Sequence, residues 1–138
     1  MLIETVKKYY GKSFNLNCAE TIIYAANEEY NLNLSCDALK MMASFGGGMG
    51  IESICGAITG SLSVLGIMFV KEKGHESDLI KSLSKEFFRK FEAEFGTKNC
   101  DELKTKYRND DIRCSRMVYK AADILDGIIN EKKEKRVK

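Results

Sequence analysis

An all-α fold, a compact bundle of five to seven helices around a buried central helix that contains glycine, is predicted by three features of this chain. Apolar residues recur at three- and four-residue spacing along most of its length. Capping residues and glycines punctuate those stretches at intervals suited to helices. No segment alternates apolar and polar residues as a half-buried strand would, and no internal repeat is present. With 138 residues, no proline and no tryptophan, the chain is expected to form one helical domain over residues 1–130, followed by a charged tail at 131–138.

Leu2, Val6 and Tyr9 or Tyr10 line one side of a first short helix, closed by Gly11. Asn17 with Glu20 makes a capping-box pattern and predicts a helix through about Tyr30, with Ile22, Ile23, Ala25 and Ala26 inward. Ser35 caps a third short helix carrying Leu39, Met42 and Ala43. That helix must stop at Phe45-Gly46-Gly47-Gly48-Met49-Gly50, because glycine costs about 1 kcal/mol per position in a helix interior.

The stretch Ser53–Val70 carries no charge. Gly56, Thr59, Gly60, Ser61, Ser63 and Gly66 interrupt its apolar character, so a buried bundle helix is expected rather than a membrane span. Gly56 and Gly60 share a face and would let another helix approach closely, within the subunit or across a homodimer. A long amphipathic helix follows from about Ser77 to Phe95, with Leu79, Ile80, Leu83, Phe87, Phe88, Phe91 and Phe95 on its stripe, and Gly96 stops it. Asn99 with Glu102 repeats the capping-box pattern for a helix ending near Lys106. The last helix is expected from Asp111 or Ile112 to about Asn130, turning Met117, Val118, Ala121, Ile124, Leu125 and Ile128 inward. Glu131 to Lys138 is expected to be solvated and frayed.

A net charge of +2 argues against nucleic-acid binding. Met1 to Tyr10 contains no apolar run of signal-peptide length, so a cytoplasmic protein without membrane attachment is expected. Thiols in that compartment stay reduced. Five cysteines in 138 residues also fall well below the ~8–10% of a secreted disulfide scaffold. Working sulfur, not structural disulfides, is the expectation.

Cys18, Cys55, Cys100 and Cys114 each fall in the first turn of a predicted helix. Cys18 follows Asn17, Cys100 follows Asn99, Cys55 sits just beyond Ser53, and Cys114 just beyond Asp111. A helix start offers free N–H groups and the positive end of the macrodipole, both of which favour thiolate. Cys36, just after Ser35, shares the placement, so placement alone does not mark a site. The plain alternative is cysteine as a small buried hydrophobe.

Spacing narrows the chemistry. Without C-x-x-C there is no local thioredoxin-type pair or zinc ribbon, and neither a C-x-x-C-H haem motif nor a ferredoxin ligand run occurs. A four-sulfur site must be gathered by the fold, and clustered helix N-termini would stabilise thiolates or an anionic iron–sulfur cluster there. The only histidine, His75, is expected at the surface and cannot build a His-rich metal site. The glycine run lacks Rossmann spacing and the P-loop Lys-Ser/Thr, so a tight turn beside the cysteines is expected. Gly48, Gly50, Gly56 and Gly60 are the glycines placed to contact a cofactor.

The segment Cys55-Gly56-Ala57-Ile58-Thr59-Gly60 carries a CGAxxG motif. With Gly46–Gly50, the upstream Cys18 and the downstream Cys100 and Cys114, the chain resembles the C_GCAxxG_C_C family of redox-active proteins over nearly its whole length. The resemblance implies a redox role. Similar domains occur in some haem-containing electron-transfer proteins, accompanied by an iron–sulfur site; this chain lacks haem attachment, so only the cysteine part carries over. Cys36 lies outside the family pattern and is expected to be structural.

Neighbours suggest different roles for the four. Arg113 and Arg116 make Cys114 the candidate low-pKa nucleophile, whereas Asp101 and Glu102 suit Cys100 to a resolving thiol or a metal-neutralised ligand. The glycines around Cys55 are expected to give a partner or small oxidant room to reach its sulfur. The expected protein is a small redox protein, an oxidoreductase by thiol–disulfide exchange or electron transfer, serving a redox partner protein or small oxidant. In one version Cys18, Cys55, Cys100 and Cys114 ligate an iron–sulfur cluster, [2Fe–2S]; in the other, pairs cycle between dithiol and disulfide. The alternative of a different class is a non-enzymatic module that binds a soft metal such as zinc, or a helical interaction module.

Overall fold

The computed structural model describes residues 1–137 and forms seven α-helices from them: α1 (Leu2–Tyr9), α2 (Cys18–Glu29), α3 (Cys36–Lys40), α4 (Gly56–Phe69), α5 (Asp78–Phe95), α6 (Cys100–Tyr107) and α7 (Ser115–Val137). Among the described residues there is no strand; two isolated bridges, Ile54–Asn99 and Asn109–Arg113, stand in the connections. The all-α expectation and the helix number both hold.

Being apolar around its whole circumference, α4 can be stable only in the interior. It takes the centre, packed by α2, α5 and α7, and buries Ala57, Ile58, Val64 and Leu65 completely. No described helix is long and apolar enough to cross a membrane. The Gly56/Gly60 face is filled from within the subunit. A Cβ on Gly60 would lie 2.8 Å from the Ala19 carbonyl oxygen, and one on Gly56 would lie 3.2 Å from the Ala19 nitrogen and from Cys18 Cβ. The missing side chains therefore bring the start of α2 against the start of α4.

Along α5, Leu83, Phe87, Phe91 and Phe95 are buried, while Leu79, Ile80 and Phe88 form half-buried margins. On α7 every residue predicted inward is buried, and α1 adds Leu2, Val6 and Tyr10. Buried Asp126 of α7 accepts from Tyr30 Oη at 2.6 Å and from the Leu2 N–H at 3.4 Å, so its carboxylate is not orphaned. Ala43, expected on the third helix, lies beyond its end and is exposed, because α3 is short and gives way to a 3-10 turn at Met41–Ser44.

The capping box forms in full. Asn17 Oδ1 accepts from the Glu20 N–H at 2.7 Å, Glu20 Oε1 accepts from the Asn17 N–H at 3.0 Å, and Asn17 Nδ2 also donates to the Ala43 carbonyl at 3.0 Å. One side chain thus starts α2 and ties down the turn after α3. Asn17→Ala should cost about 1–2 kcal/mol, read as a lower urea midpoint at unchanged slope. Asn17→Asp, which keeps the acceptor and loses the amide donor, should recover part of it.

Two predicted starts differ. Asn99 does not cap α6 with its side chain. The Glu102 N–H that it would cap is taken by Asp101 Oδ1 at 2.8 Å, and the Asn99 N–H donates to Thr97 Oγ1 at 3.1 Å, while the Cys100 N–H donates to the Ser53 carbonyl. Helix α7 begins at Ser115 rather than Asp111 or Ile112, because Asn109 Oδ1 accepts from the N–H groups of Asp111 and Ile112, both at 2.9 Å, and closes a separate turn. Arg113 leaves that turn with a left-handed φ of 51°. At the other end α7 continues through Val137, since the Glu- and Lys-rich tail has good helix propensity; Lys138 lies outside the described residues.

Candidate functional site

Sulfurs from four separated segments meet. Cys18 opens α2, Cys55 immediately precedes α4, Cys100 opens α6, Cys114 immediately precedes α7, and all four line one cavity of about 200 Å³. The Gly56/Gly60 contact draws Cys18 to Cys55. The Cys55 N–H donates to the Lys98 carbonyl at 2.9 Å, and with the Ile54–Asn99 bridge this holds Cys55 and Cys100 side by side. Buried Gly48, at a positive φ of 63°, lies beneath Cys100, where an added Cβ would stand 2.8 Å from Cys100 Cβ. The Cys114 N–H donates to Tyr10 Oη at 2.9 Å, tying the fourth segment to the end of α1.

Cys36 is not part of the cluster. It is exposed, contrary to the expectation of a structural cysteine, because its short helix lies on the surface and turns it to solvent. Among the four glycines placed near a cofactor, Gly56 lines the cavity, Gly48 and Gly60 are packing contacts, and Gly50 is exposed with open space around it. Gly47 lines the cavity as well.

The four sulfurs are electrostatically unequal. The hydrogen bond from Cys18 lowers the pKa of Cys114, and Arg108 and Lys104 lower it further against the opposing effect of burial, to about 6. Cys18 moves the other way: donating that hydrogen bond, burial and the neighbouring sulfurs all hold it as a thiol. Burial pushes Cys55 up to about 12, although the Ala57 and Ile58 amides at the start of α4 oppose the rise. Burial also raises Cys100, against the attraction of Lys104 and with Cys114, Glu52 and Asp101 adding to the rise. Where α4 begins, desolvation thus outweighs the helix dipole.

The expectation of a low-pKa Cys114 agrees with this arrangement, but its cause is different. The Arg113 guanidinium donates to the Tyr10 carbonyl at 2.7 Å and sits 4.3 Å over the Tyr10 ring, while Arg116 lies 4.9 Å over the Tyr107 ring. The acting cations are Arg108 and Lys104, on and just after α6. The expectation of an accessible Cys55 fails, since it is only 5% exposed, whereas Cys18 and Cys114 are half-buried. Cys100 is buried too, and the thiol that lowers the Cys114 pKa most is Cys18.

Tyr10, Lys104 and Arg108 are site residues that the sequence analysis missed. Lys104 was detectable, four residues after Cys100 and so one helical turn along the same face, and Arg108 follows four later. Tyr10 left no local signal, because its contact with Cys114 spans 104 residues.

Four cysteine thiols are chemically suited to an iron–sulfur cluster. As they stand they do not make a finished ligand shell: among the described residues, no group of three or more His, Cys, Asp or Glu side chains is placed to hold a metal ion.

The fold and the cavity together define a small helical protein with four thiols gathered around one opening, one of them held ready to ionise. The chain belongs to the C_GCAxxG_C_C family, described as "Putative redox-active protein (C_GCAxxG_C_C)", whose model matches residues 16–128 and so spans all four cysteines of the cavity. A protein of Archaeoglobus fulgidus described as "Uncharacterized protein" is 26% identical over 131 residues, covering 85% of this chain and 87% of its own. No solved structure matches.

Proposed function

We propose that this chain is a thiol–disulfide redox protein whose reacting pair is Cys114 and Cys18, with a redox partner protein or a small disulfide as oxidant. The observation that carries this reading is the placement of Cys18 and Cys114 on one cavity wall beside Arg108 and Lys104, where the neighbouring Cys18 thiol and those cations favour the Cys114 thiolate. It places a stabilised thiolate in contact with a protonated second thiol. The Cys114 thiolate attacks one sulfur of the disulfide; the new S–S bond forms as the old one breaks, and the departing thiolate takes the Cys18 proton. Cys18 sulfur then attacks Cys114, closing the Cys18–Cys114 disulfide and releasing the second thiolate. Two cysteines are oxidised and one external disulfide is reduced. Cys55 and Cys100, buried and held neutral, shape the cavity.

The second reading is a [2Fe–2S] cluster held by Cys18, Cys55, Cys100 and Cys114, favoured by their lining a single cavity. It requires the sulfurs to close up into a ligand shell. Anaerobic purification, an ultraviolet–visible spectrum and analysis for iron, sulfide and zinc decide between these. The dithiol reading expects a colourless, metal-free protein that a disulfide oxidises at Cys18 and Cys114, as found by mass spectrometry. In Cys18→Ser, the mixed disulfide on Cys114 should then be trapped. Visible charge-transfer bands with iron and sulfide would replace this reading with the cluster, and stoichiometric zinc would replace it with a binding module.

A further inference from the structure

The cavity that holds the sulfurs has cations on its wall and no carboxylate. Lys104, Arg108 and Arg113 line it, and none of the Asp or Glu side chains does. Among the described residues none of the three is in an ion pair. Arg108 meets the Cys114 sulfur, and Arg113 is anchored by the Tyr10 carbonyl and ring, which leaves its charge uncompensated. The nearest acidic influences, Glu52 and Asp101, act on Cys100 from outside the lining.

The placement is not accidental to the fold. Arg113 and Cys114 leave the same turn, whose Arg113 N–H donates to the Asn109 carbonyl at 2.8 Å. Lys104 stands one turn above Cys100 on α6. Lys104 and Arg108 thus act on the only stabilised thiolate, and Arg113, its guanidinium held at Tyr10, lines the same cavity. One thiolate neutralises one of them at most, which leaves a net positive cavity. Cations uncompensated in a partly desolvated cleft attract anions far more strongly than they would in open water. At about 200 Å³ the cavity has the space of about seven water molecules, enough for a small molecule and too little for a folded chain.

We propose that this site selects small anionic sulfur electrophiles, disulfides that carry a carboxylate or similar charged group, with Lys104, Arg108 and Arg113 receiving the charge while Cys114 attacks the sulfur. This rests on the thiol reading above. The chemistry is the exchange already described: Cys18 protonates the departing thiolate, and the carboxylate that the electrophile carries is the charge that the cations bind. Uncharged disulfides react at the same sulfur without that attraction, and cationic ones against repulsion.

The test uses the reduced full chain in a Cys36→Ser background, which removes an exposed thiol that does not line the cavity. Trapping of Cys114 is followed with iodoacetate and iodoacetamide, two alkylators of similar size and mechanism that differ in charge. The ratio of their rates is divided by the same ratio for 2-mercaptoethanol. Dithiodipropionate, hydroxyethyl disulfide and cystamine, which are anionic, neutral and cationic, then repeat the comparison with disulfides. The normalised preference for the anion should be about tenfold or more at low salt and shrink as salt is added. Arg108→Gln and Lys104→Gln should each remove much of it, and Arg108→Lys should restore it. A normalised ratio of one, with iodoacetamide still reacting readily, would overturn the anion selectivity and leave the thiol reading standing. Failure of Cys114 to react with either alkylator would overturn both.

Discussion

Gly60→Val should lower the folding stability by about 3 kcal/mol, the upper end of what overpacking costs. At Gly60 the helices α2 and α4 have no side chain between them. A Cβ there would lie 2.8 Å from the Ala19 carbonyl oxygen, 3.0 Å from Ala19 Cα and 3.2 Å from Ile22 Cβ. Two of these atoms are backbone and cannot rotate aside, so α2 must move as a unit. Replacing glycine inside a helix returns less than about 1 kcal/mol of propensity, and steric displacement wins. Gly66, on the same helix, provides the contrast: nothing stands within 4 Å of its added Cβ. Gly66→Ala should therefore stabilise by about 0.5–1 kcal/mol. Urea unfolding at constant slope checks both. The displacement at Gly60 should also reach the sulfurs, because Cys18 opens the helix that moves and Cys55 precedes the helix that stays.

That contact was legible because it depends on a repeat within one helix. Gly56 and Gly60 fall on one face at four-residue spacing, and an uncharged helix has to be central, so a close neighbour follows. The caps show where such reasoning stops. Asn17 and Glu20 form their capping box because nothing else competes for those groups. Asn99 and Glu102 present the same pattern and do not, since Asp101 Oδ1 already accepts from the Glu102 N–H at 2.8 Å and Thr97 Oγ1 from the Asn99 N–H at 3.1 Å. Asn109 likewise takes two amides that the pattern assigned to the start of α7. Local sequence identifies groups able to form a bond, and competition among the acceptors within reach decides which bond forms.

For the sulfurs the same limit applies one level up. That Cys18, Cys55, Cys100 and Cys114 belong together was legible from their positions at helix starts and from the family motif. Their differences were not. Arg113 and Arg116 look like the activating cations from sequence adjacency, yet their guanidinium groups are turned to Tyr10 and Tyr107. Lys104 and Arg108 act instead, brought in by the approach of α6 to the start of α7. The accessibility of Cys55 failed for a related reason: the glycines beside it admit α2, not solvent or a partner.

The rate at which Cys114 attacks a neutral disulfide should level off above pH 6 and fall below it, where an ordinary thiol would still be gaining at pH 8. The sign follows from the lowered pKa of about 6: the thiolate is the dominant form above that value and is lost as protons are added through it. Near pH 7 the advantage over an ordinary thiol is modest. A free thiol of pKa ~8.5 is then about 3% ionised, so the gain in thiolate is roughly thirtyfold, but the weaker nucleophilicity of an acidic thiolate takes back about tenfold. At pH 6 the gain in thiolate is over a hundredfold and the same loss applies, which leaves about a tenfold advantage. That pH is where the measurement discriminates. Cys18→Ala should move the midpoint upward most, because the hydrogen bond from Cys18 is the largest influence lowering it, and Arg108→Gln should move it upward by less. Ultraviolet thiolate absorbance and exchange with hydroxyethyl disulfide, both in a Cys36→Ser background, should report the same midpoint. A midpoint near 8.5 in the parent would mean that neither Cys18 nor Arg108 holds the charge on Cys114, and the reacting pair would have to be sought elsewhere among the four.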